Sequence, residues 1–437
     1  MRKKKILTTE VTESTEEEEK TIFHSSSVTS VVNFFAVLCF FLISSTLLAK
    51  VELGVDRFFQ SEVHQLRGMR VGLITNQTGV SGSLHSTIDL LRTAANEFKF
   101  VALFAPEHGI EGVAHAGEEV VDTVHHSGVR VYSLHGKTRR PTSAMLEGID
   151  VLIYDIQEIG ARSYTYASTL FYVMEEAAKR GIGVIVLDRP NPINGLVVDG
   201  PMLEESCRSF LGYVNVPYCH GMTIGELARF FNAEYRIGCS LKVIPMMGWK
   251  RSMTYRDTGL PWIPTSPQIP ESDTALFYPA TGILGCLDIV SVGGGCSLPF
   301  KVVAAPWIDA KKLAKELTAQ KLVGVSFMPF HFRPFWGAFK EETCHGVKIL
   351  VNDPLAFRPV TVDFMILGVL KSLYPAQVEK KLHALSASKK AIFTSICGTP
   401  QVLDIILKEK YAAWKLIRLH QEERKAFLEK RKKYLLY

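Results

Sequence analysis

The amino-acid sequence predicts an α/β protein in which a parallel β-sheet domain is followed by a smaller, mixed α/β domain. Three observations carry this. Short apolar runs alternate with segments of helical periodicity from Val51 onward. Four of those runs end abruptly in polar side chains, and near residues 190–220 the chain turns Pro/Gly-rich before a second set of strands begins. A continuous apolar run of about four to eight residues closed by turn residues reads as a strand buried on both faces, the habit of parallel sheets.

The first run, Arg70–Thr75 (RVGLIT), leads into Asn76, Gln77 and Thr78, and His85–Ala95 then places Ile88, Leu90 and Leu91 at helical spacing. The second run, Val101–Ala105, stops at Pro106, which has no N–H to give a ladder. Glu107 and His108 therefore stand just beyond a strand's carboxyl end, with Gly109 free to turn the chain. Val151–Tyr154 delivers Asp155, Gln157 and Glu158; the amphipathic stretch Ser168–Arg180, closed by Gly181, returns to Ile182–Leu187, which delivers Asp188, Arg189 and Asn191. Strand–helix–strand units cross over right-handed and build a parallel sheet. Ligands of such sheets bind outside the carboxyl ends of the strands, so four polar exits define one expected site.

After PNPING (Pro190–Gly195) and DGPML (Asp199–Leu203) come a helix at Thr223–Asn232 and a proline-dense loop, Gly259–Tyr278. Leu241–Pro245, Lys301–Ala304, Val325–Pro329 and Gly346–Val351 read as strands of a second, mixed sheet. Leu403–Tyr437 reads as one helix with a basic, solvated face. The expected organisation is a polar tail over 1–28, a leader over 29–49, a Rossmann-like domain over 50–205 and an α/β domain over 206–437.

The chain has 437 residues, 47% hydrophobic and 22% charged, which suits sizeable cores. Its net charge of +6 draws on both termini, and no basic stripe with interleaved aromatics crosses the middle, so no nucleic-acid partner is expected. Val31–Ala49 is nineteen residues without a charge, preceded by RKKK and an acidic run, and reads as a signal peptide or a membrane anchor. Export follows from either reading, to the periplasm or to a membrane-anchored position facing it. The eight cysteines include no CxxC pair and no zinc spacing. TGVSGS follows a strand but lacks a third glycine, so a dinucleotide site is not expected despite the wiring, and no cofactor is expected. His108, Glu111, His115 and Glu118 repeat His-x-x-Glu on a glycine-broken loop, a poor geometry for a metal.

TNQTGV (Thr75–Val80), APEHGIEG (Ala105–Gly112), DIQEIGARSYTY (Asp155–Tyr166), LDRPNPING (Leu187–Gly195), HGMTIGELA (His220–Ala228), GLPWIPTSPQIP (Gly259–Pro270) and the terminal KKYLLY resemble the exo-acting β-N-acetylmuramidases of glycoside hydrolase family 171, formerly a bacterial domain of unknown function. The resemblance runs from about Val51 to Tyr437. It implies a cleft between the two domains and release of N-acetylmuramic acid from non-reducing ends of peptidoglycan fragments. It further implies Glu107 as catalytic acid, with Asp155, Glu158, Arg162, Tyr164, Tyr166 and His220 in the site. Glycoside cleavage needs an acid on the leaving oxygen and a second group as nucleophile or water activator. Asp155 and Glu158 are candidates for that second group, and the sugar's own acetamide is the alternative. Arg162 or Arg189 suits the lactyl carboxylate as a bidentate partner; Asn76, Gln77 and Asn191 suit sugar hydroxyls, and His108 suits a role tuning Glu107. One block departs from the family pattern: GCLDIVSVGGGCSLPF (Gly285–Phe300) replaces a polar loop, leaving Asp288 as its only acid. A catalytically altered module that binds peptidoglycan ends is the alternative function.

Overall fold

The computed structural model describes residues 50–437. The polar tail, the leader and Cys39 lie outside the described residues. Seven strands form the main sheet: β1 (Arg70–Thr75), β2 (Lys99–Ala105), β3 (Thr123–Val124), β4 (Arg130–Ser133), β5 (Val151–Asp155), β6 (Gly183–Leu187) and β7 (Leu241–Ile244), in the order β3-β4-β2-β1-β5-β6-β7. Every pairing is parallel except that of β3 with β4. The chain thus winds outward from β1 through β2 to β4, then returns to β1's other side at β5. The order reverses between β1 and β5, where an open α/β sheet leaves a crevice.

Alternate residues feed two cores, as a period of two requires. Val71, Leu73, Leu103, Ile153 and Ile185 pack on one face with Ile88 and Leu91 of helix α1 (Thr87–Ala94). Ile74, Phe104, Leu152, Tyr154 and Val186 pack on the other with helices α2 (Tyr166–Ala178) and α3 (Ile224–Glu234). The Ser86 hydroxyl accepts the Ile88 N–H at 3.1 Å and starts α1. Thr223 and Glu226 exchange hydrogen bonds at the start of α3, where the Glu226 carboxylate accepts the Thr223 N–H at 3.0 Å. The chain between β2 and β4 carries no helix; its loop, residues 106–122, instead carries Glu107 past the sheet edge.

Two expectations about the second sheet need correction. Leu241–Ile244 extends the first sheet, pairing with β6. The second sheet is β8 (Val302–Ala305), β9 (Val325–Phe332) and β10 (Cys344–Val351), ordered β8-β10-β9 and antiparallel throughout rather than mixed. A loop without a crossover helix joins β9 to β10, and such a connection permits only antiparallel pairing. Helix α4 (Thr274–Gly285) packs on helix α5 (Pro359–Leu373), and their apolar faces join the core of α2 and α3 in one cluster, so packing is continuous across residues 205–206. The expected single terminal helix is three: α6 (Gln401–Lys408), α7 (Ala413–Arg418) and α8 (Gln421–Arg431). The Lys371 ammonium donates to the Ile406 and Glu409 carbonyls and closes α6, and His420, at φ 56°, breaks the chain before α8.

Candidate active site

The exit of β2 opens into a cavity of about 710 Å³. Glu107 and His108 line it from that exit, His115 and Ala116 from the following loop, and Ser163–Tyr166 from the entry to α2. Ser266–Ile269 of the proline-dense loop add a third wall, and Tyr278, Phe300 and Trp336 a fourth. Glu107 is the only carboxylate among these lining residues, and none is Lys or Arg. The residue is 9% exposed and its carboxylate is held at both oxygens: the Thr165 hydroxyl donates to Oε2 at 2.5 Å and the Gly117 N–H to Oε1 at 2.9 Å. Two donors on a carboxyl fix its direction.

The phenols around it are anchored too. Tyr164 donates to the Thr265 hydroxyl at 2.8 Å, Tyr166 to the Thr265 carbonyl at 2.6 Å, and Tyr278 lies 3.2 Å from the Ser163 hydroxyl. Both Tyr164 and Tyr166 line the cavity. Residues 163–165 form a turn into α2, which brings the two rings together at 4.9 Å. Burial pushes the Tyr278 phenol up to about 12 and the other two phenols upward as well. All three are neutral hydrogen-bonding groups at ordinary pH.

The crevice at the sheet's reversal point is closed. Asp155, fully buried, pairs with Arg189 at 2.6 and 2.9 Å and accepts the Thr87 hydroxyl at 2.5 Å. Tyr255, Leu260 and Pro261 cover this edge and leave about 10 Å³ beside Arg189, Gln157 and Thr78. That is room for about one water and for no sugar. Glu158 is buried with its oxygens on the Ile159 and Ala167 N–H groups, and burial pushes its carboxyl up to about 8.

Residues 71–273 match the family described as exo-beta-N-acetylmuramidase NamZ, N-terminal, and residues 276–437 match its C-terminal counterpart. The chain belongs to the NamZ family. A Bacillus subtilis relative, peptidoglycan beta-N-acetylmuramidase NamZ, is 40% identical over 389 residues, covering 89% of this chain and 92% of its own. Two crystal structures of DUF1343 family proteins from Bacteroides fragilis share the fold. One is 40% identical with a TM-score of 0.83, the other 27% identical with a TM-score of 0.68, and each match covers 89% of this chain and 99% of that protein.

Several of the residues expected in the site stand outside the cavity lining. Arg162 is buried with its guanidinium on the carbonyls of Pro201, Val216 and Cys397, each at 2.7 Å. Arg189 is likewise held inside, paired with Asp155. His220 is 1% exposed, accepts the Met222 N–H at 3.2 Å, and is pushed down to about 3 by burial. Asn191 donates to the Met222 carbonyl at 3.0 Å and packs on Gly160, whose φ of +82° and missing Cβ the contact requires. Asn76 accepts the Thr78 N–H and hydroxyl, and Gln77 donates to the Pro264 carbonyl at 2.8 Å, fastening the proline-dense loop. His108 Nδ1 is 2.7 Å from the Ala114 carbonyl, holding the Glu107 loop.

One residue near Glu107 escaped the sequence reading. His135, 4% exposed, places Nε2 3.8 Å from Glu107 Oε1, and neither of its ring nitrogens has a partner. It follows β4, so it stands at a further strand exit of the kind that marked the others. Burial lowers its pKa and keeps the ring neutral.

Proposed function

We propose that this protein is an exo-acting glycoside hydrolase that releases N-acetylmuramic acid from non-reducing ends of peptidoglycan fragments, with Glu107 as the acid. Family membership supports the reaction and the exo mode. The observation that carries the assignment of Glu107 is its standing as the sole carboxylate lining a cavity of about 710 Å³, a size in the usual range for small-ligand sites.

The same observation bears on the second group. With Asp155 in a sealed ion pair and Glu158 buried on backbone N–H groups, the sugar's 2-acetamide is the nucleophile the site favours. The acetamide oxygen bonds to C1 as the glycosidic C–O bond breaks, and the Glu107 proton passes to the leaving oxygen. Water then attacks C1 of the oxazolinium and loses a proton to the Glu107 carboxylate, which restores the acid and retains the anomeric configuration. Tyr164, Tyr166 and Tyr278 supply neutral hydrogen-bonding groups to orient the sugar.

A chromogenic β-glycoside of N-acetylmuramic acid tests this. Wild-type turnover should fall by about 10²-fold or more in Glu107→Gln with the melting temperature held. Full activity in that variant removes Glu107 from the role, and wild-type binding without turnover leaves a recognition module. Fluorinating the acetamide methyl should slow the wild-type enzyme steeply, whereas an unchanged rate points to another nucleophile.

The uncharged stretch Val31–Ala49 supports export of the catalytic part to the periplasmic side. Externally added protease should reach residues 50–437 once the outer envelope is opened, and protection behind the inner membrane would refute export. N-terminal sequencing of the mature protein separates a cleaved leader from a retained anchor.

A further inference from the structure

The glycine run within residues 285–300 packs against the loop between β9 and β10. That loop carries Phe335 and Trp336, which are 66% and 43% exposed. Its backbone is fastened to the glycine run, with the Phe335 N–H donating to the Gly295 carbonyl at 2.9 Å. Gly295 has φ +69°, and a Cβ there would stand 2.5 Å from the Trp336 backbone N and O. A Cβ on Gly294 would meet the Trp336 six-membered ring at 3.5 Å. Gly295 lets the tryptophan loop approach where a bulkier residue would hold it away, and Gly294 lies under the indole at ordinary contact distance.

Phe300, at the end of the same segment, has φ +62°, a conformation that bulky side chains avoid. Its N–H donates to the Val292 carbonyl at 2.7 Å, and its carbonyl accepts the Thr281 hydroxyl at 2.9 Å. The strained backbone is thereby fixed, and its ring packs on Tyr278 at 5.1 Å. Tyr278, Phe300 and Trp336 line the same cavity as Glu107. Glu107 is 9% exposed and Trp336 43%, so the carboxyl is at depth and the indole at the mouth.

An exo-acting glycosidase holds its terminal sugar in the closed end and leaves the departing sugar toward solvent. Resting on the function proposed above, the geometry points to Trp336, on the same wall as Phe300 and Tyr278, as the platform on which the departing pyranose stacks, an N-acetylglucosamine-type ring in a peptidoglycan fragment. The axial C–H groups of such a ring carry partial positive charge and meet the negative face of the indole. The contact is apolar and planar.

The full chain is assayed on two substrates: the β-1,4-linked disaccharide of N-acetylmuramic acid and N-acetylglucosamine, and the methyl β-glycoside of N-acetylmuramic acid, which has no ring to stack. In Trp336→Ala the ratio of kcat/KM for the disaccharide to that for the methyl glycoside should fall roughly tenfold, mostly through KM, and Trp336→Phe should restore most of it. An unchanged ratio overturns the platform. Absence of wild-type turnover on both substrates would count against the proposed reaction instead. The platform is then judged by tryptophan fluorescence titrated with N-acetylglucosamine: a change present in wild type and lost in Trp336→Phe supports it, and equal or absent changes in both refute it.

Discussion

Glu107 Oε1 and His135 Nε2 face each other at 3.8 Å from neighbouring strands, β2 and β4, whose register places Ala105 beside Ser133. The imidazole is buried and neutral, and Glu107, His108 and Arg139 are the charged or titratable groups acting on it. When Glu107 gives up its proton, a neutral Nε2–H can close the gap and hold the carboxylate. With Glu107 as the proposed acid, His135 is expected to act through it as a positioning residue. Replacing it by Phe removes a donor to the charged form, so the high-pH limb of kcat/KM should move upward, and His135→Gln should move it less. A limb that stays in place while activity merely falls would make His135 structural.

Asp155 and Arg189 lie at the reversal point of the sheet, and their pairing supports the fold. Removing one partner of a buried ion pair leaves an uncompensated charge, at a cost of about 3–5 kcal/mol. Arg189→Met should therefore lower the denaturation midpoint sharply. The double variant with Asp155→Asn should be less destabilised than the sum of the singles, because the two groups share one interaction. An Arg189→Met protein of native stability that discriminates less between muramic and glucosamine glycosides would return this arginine to substrate binding.

The centre of the sheet was legible because β1, β5 and β6 are buried on nearly every residue and so appear as unbroken apolar runs, as at Val71–Ile74 and Val151–Tyr154. Glu107 was legible for the same reason, since Pro106 ends a strand and the next residue must stand at the edge. Which polar exits face the cavity was not. Asp155, Arg189 and Asn191 have the same local pattern as Glu107, and only the proline-dense loop over them, whose path depends on contacts such as Gln77 with Pro264, decides that they are covered. Leu241–Ile244 was assigned to the wrong sheet because a short strand after a turn-rich stretch carries no mark of its partner. Trp336 comes from the hairpin loop of the second sheet, more than a hundred residues after Glu107, and local sequence does not reveal such a meeting.

Tyr437, the last residue, is built into the sheet edge. Its hydroxyl donates to Asp188 at 2.7 Å and accepts the Met246 N–H at 2.7 Å, and its ring packs on Trp249 at 5.1 Å. Tyr437→Phe keeps the ring and leaves a buried carboxylate oxygen and an amide short of a partner, which costs about 1–3 kcal/mol. Urea unfolding should show a lower midpoint with an unchanged slope. No loss would mean that the remaining donors to Asp188, from Thr223 and Gly225, suffice.

Asp363 gives stability a pH dependence of predictable sign. It is fully buried on α5, its Oδ2 accepts the Leu284 N–H at 3.1 Å, and its Oδ1 has no partner. Burial pushes its carboxyl from 3.8 to about 8. Between those values the unfolded chain releases the proton and the folded chain keeps it, so stability falls as pH rises through that window and levels off above it. The slope from this one group is at most about 1.4 kcal/mol per pH unit. Asp363→Asn keeps the shape and cannot ionise. The variant should match wild type near pH 4, where both side chains are neutral, and exceed it in stability at pH 8. Denaturant unfolding of both proteins at the two pH values decides the matter, and parallel pH dependences would show that Asp363 ionises in the folded chain as readily as in the unfolded one.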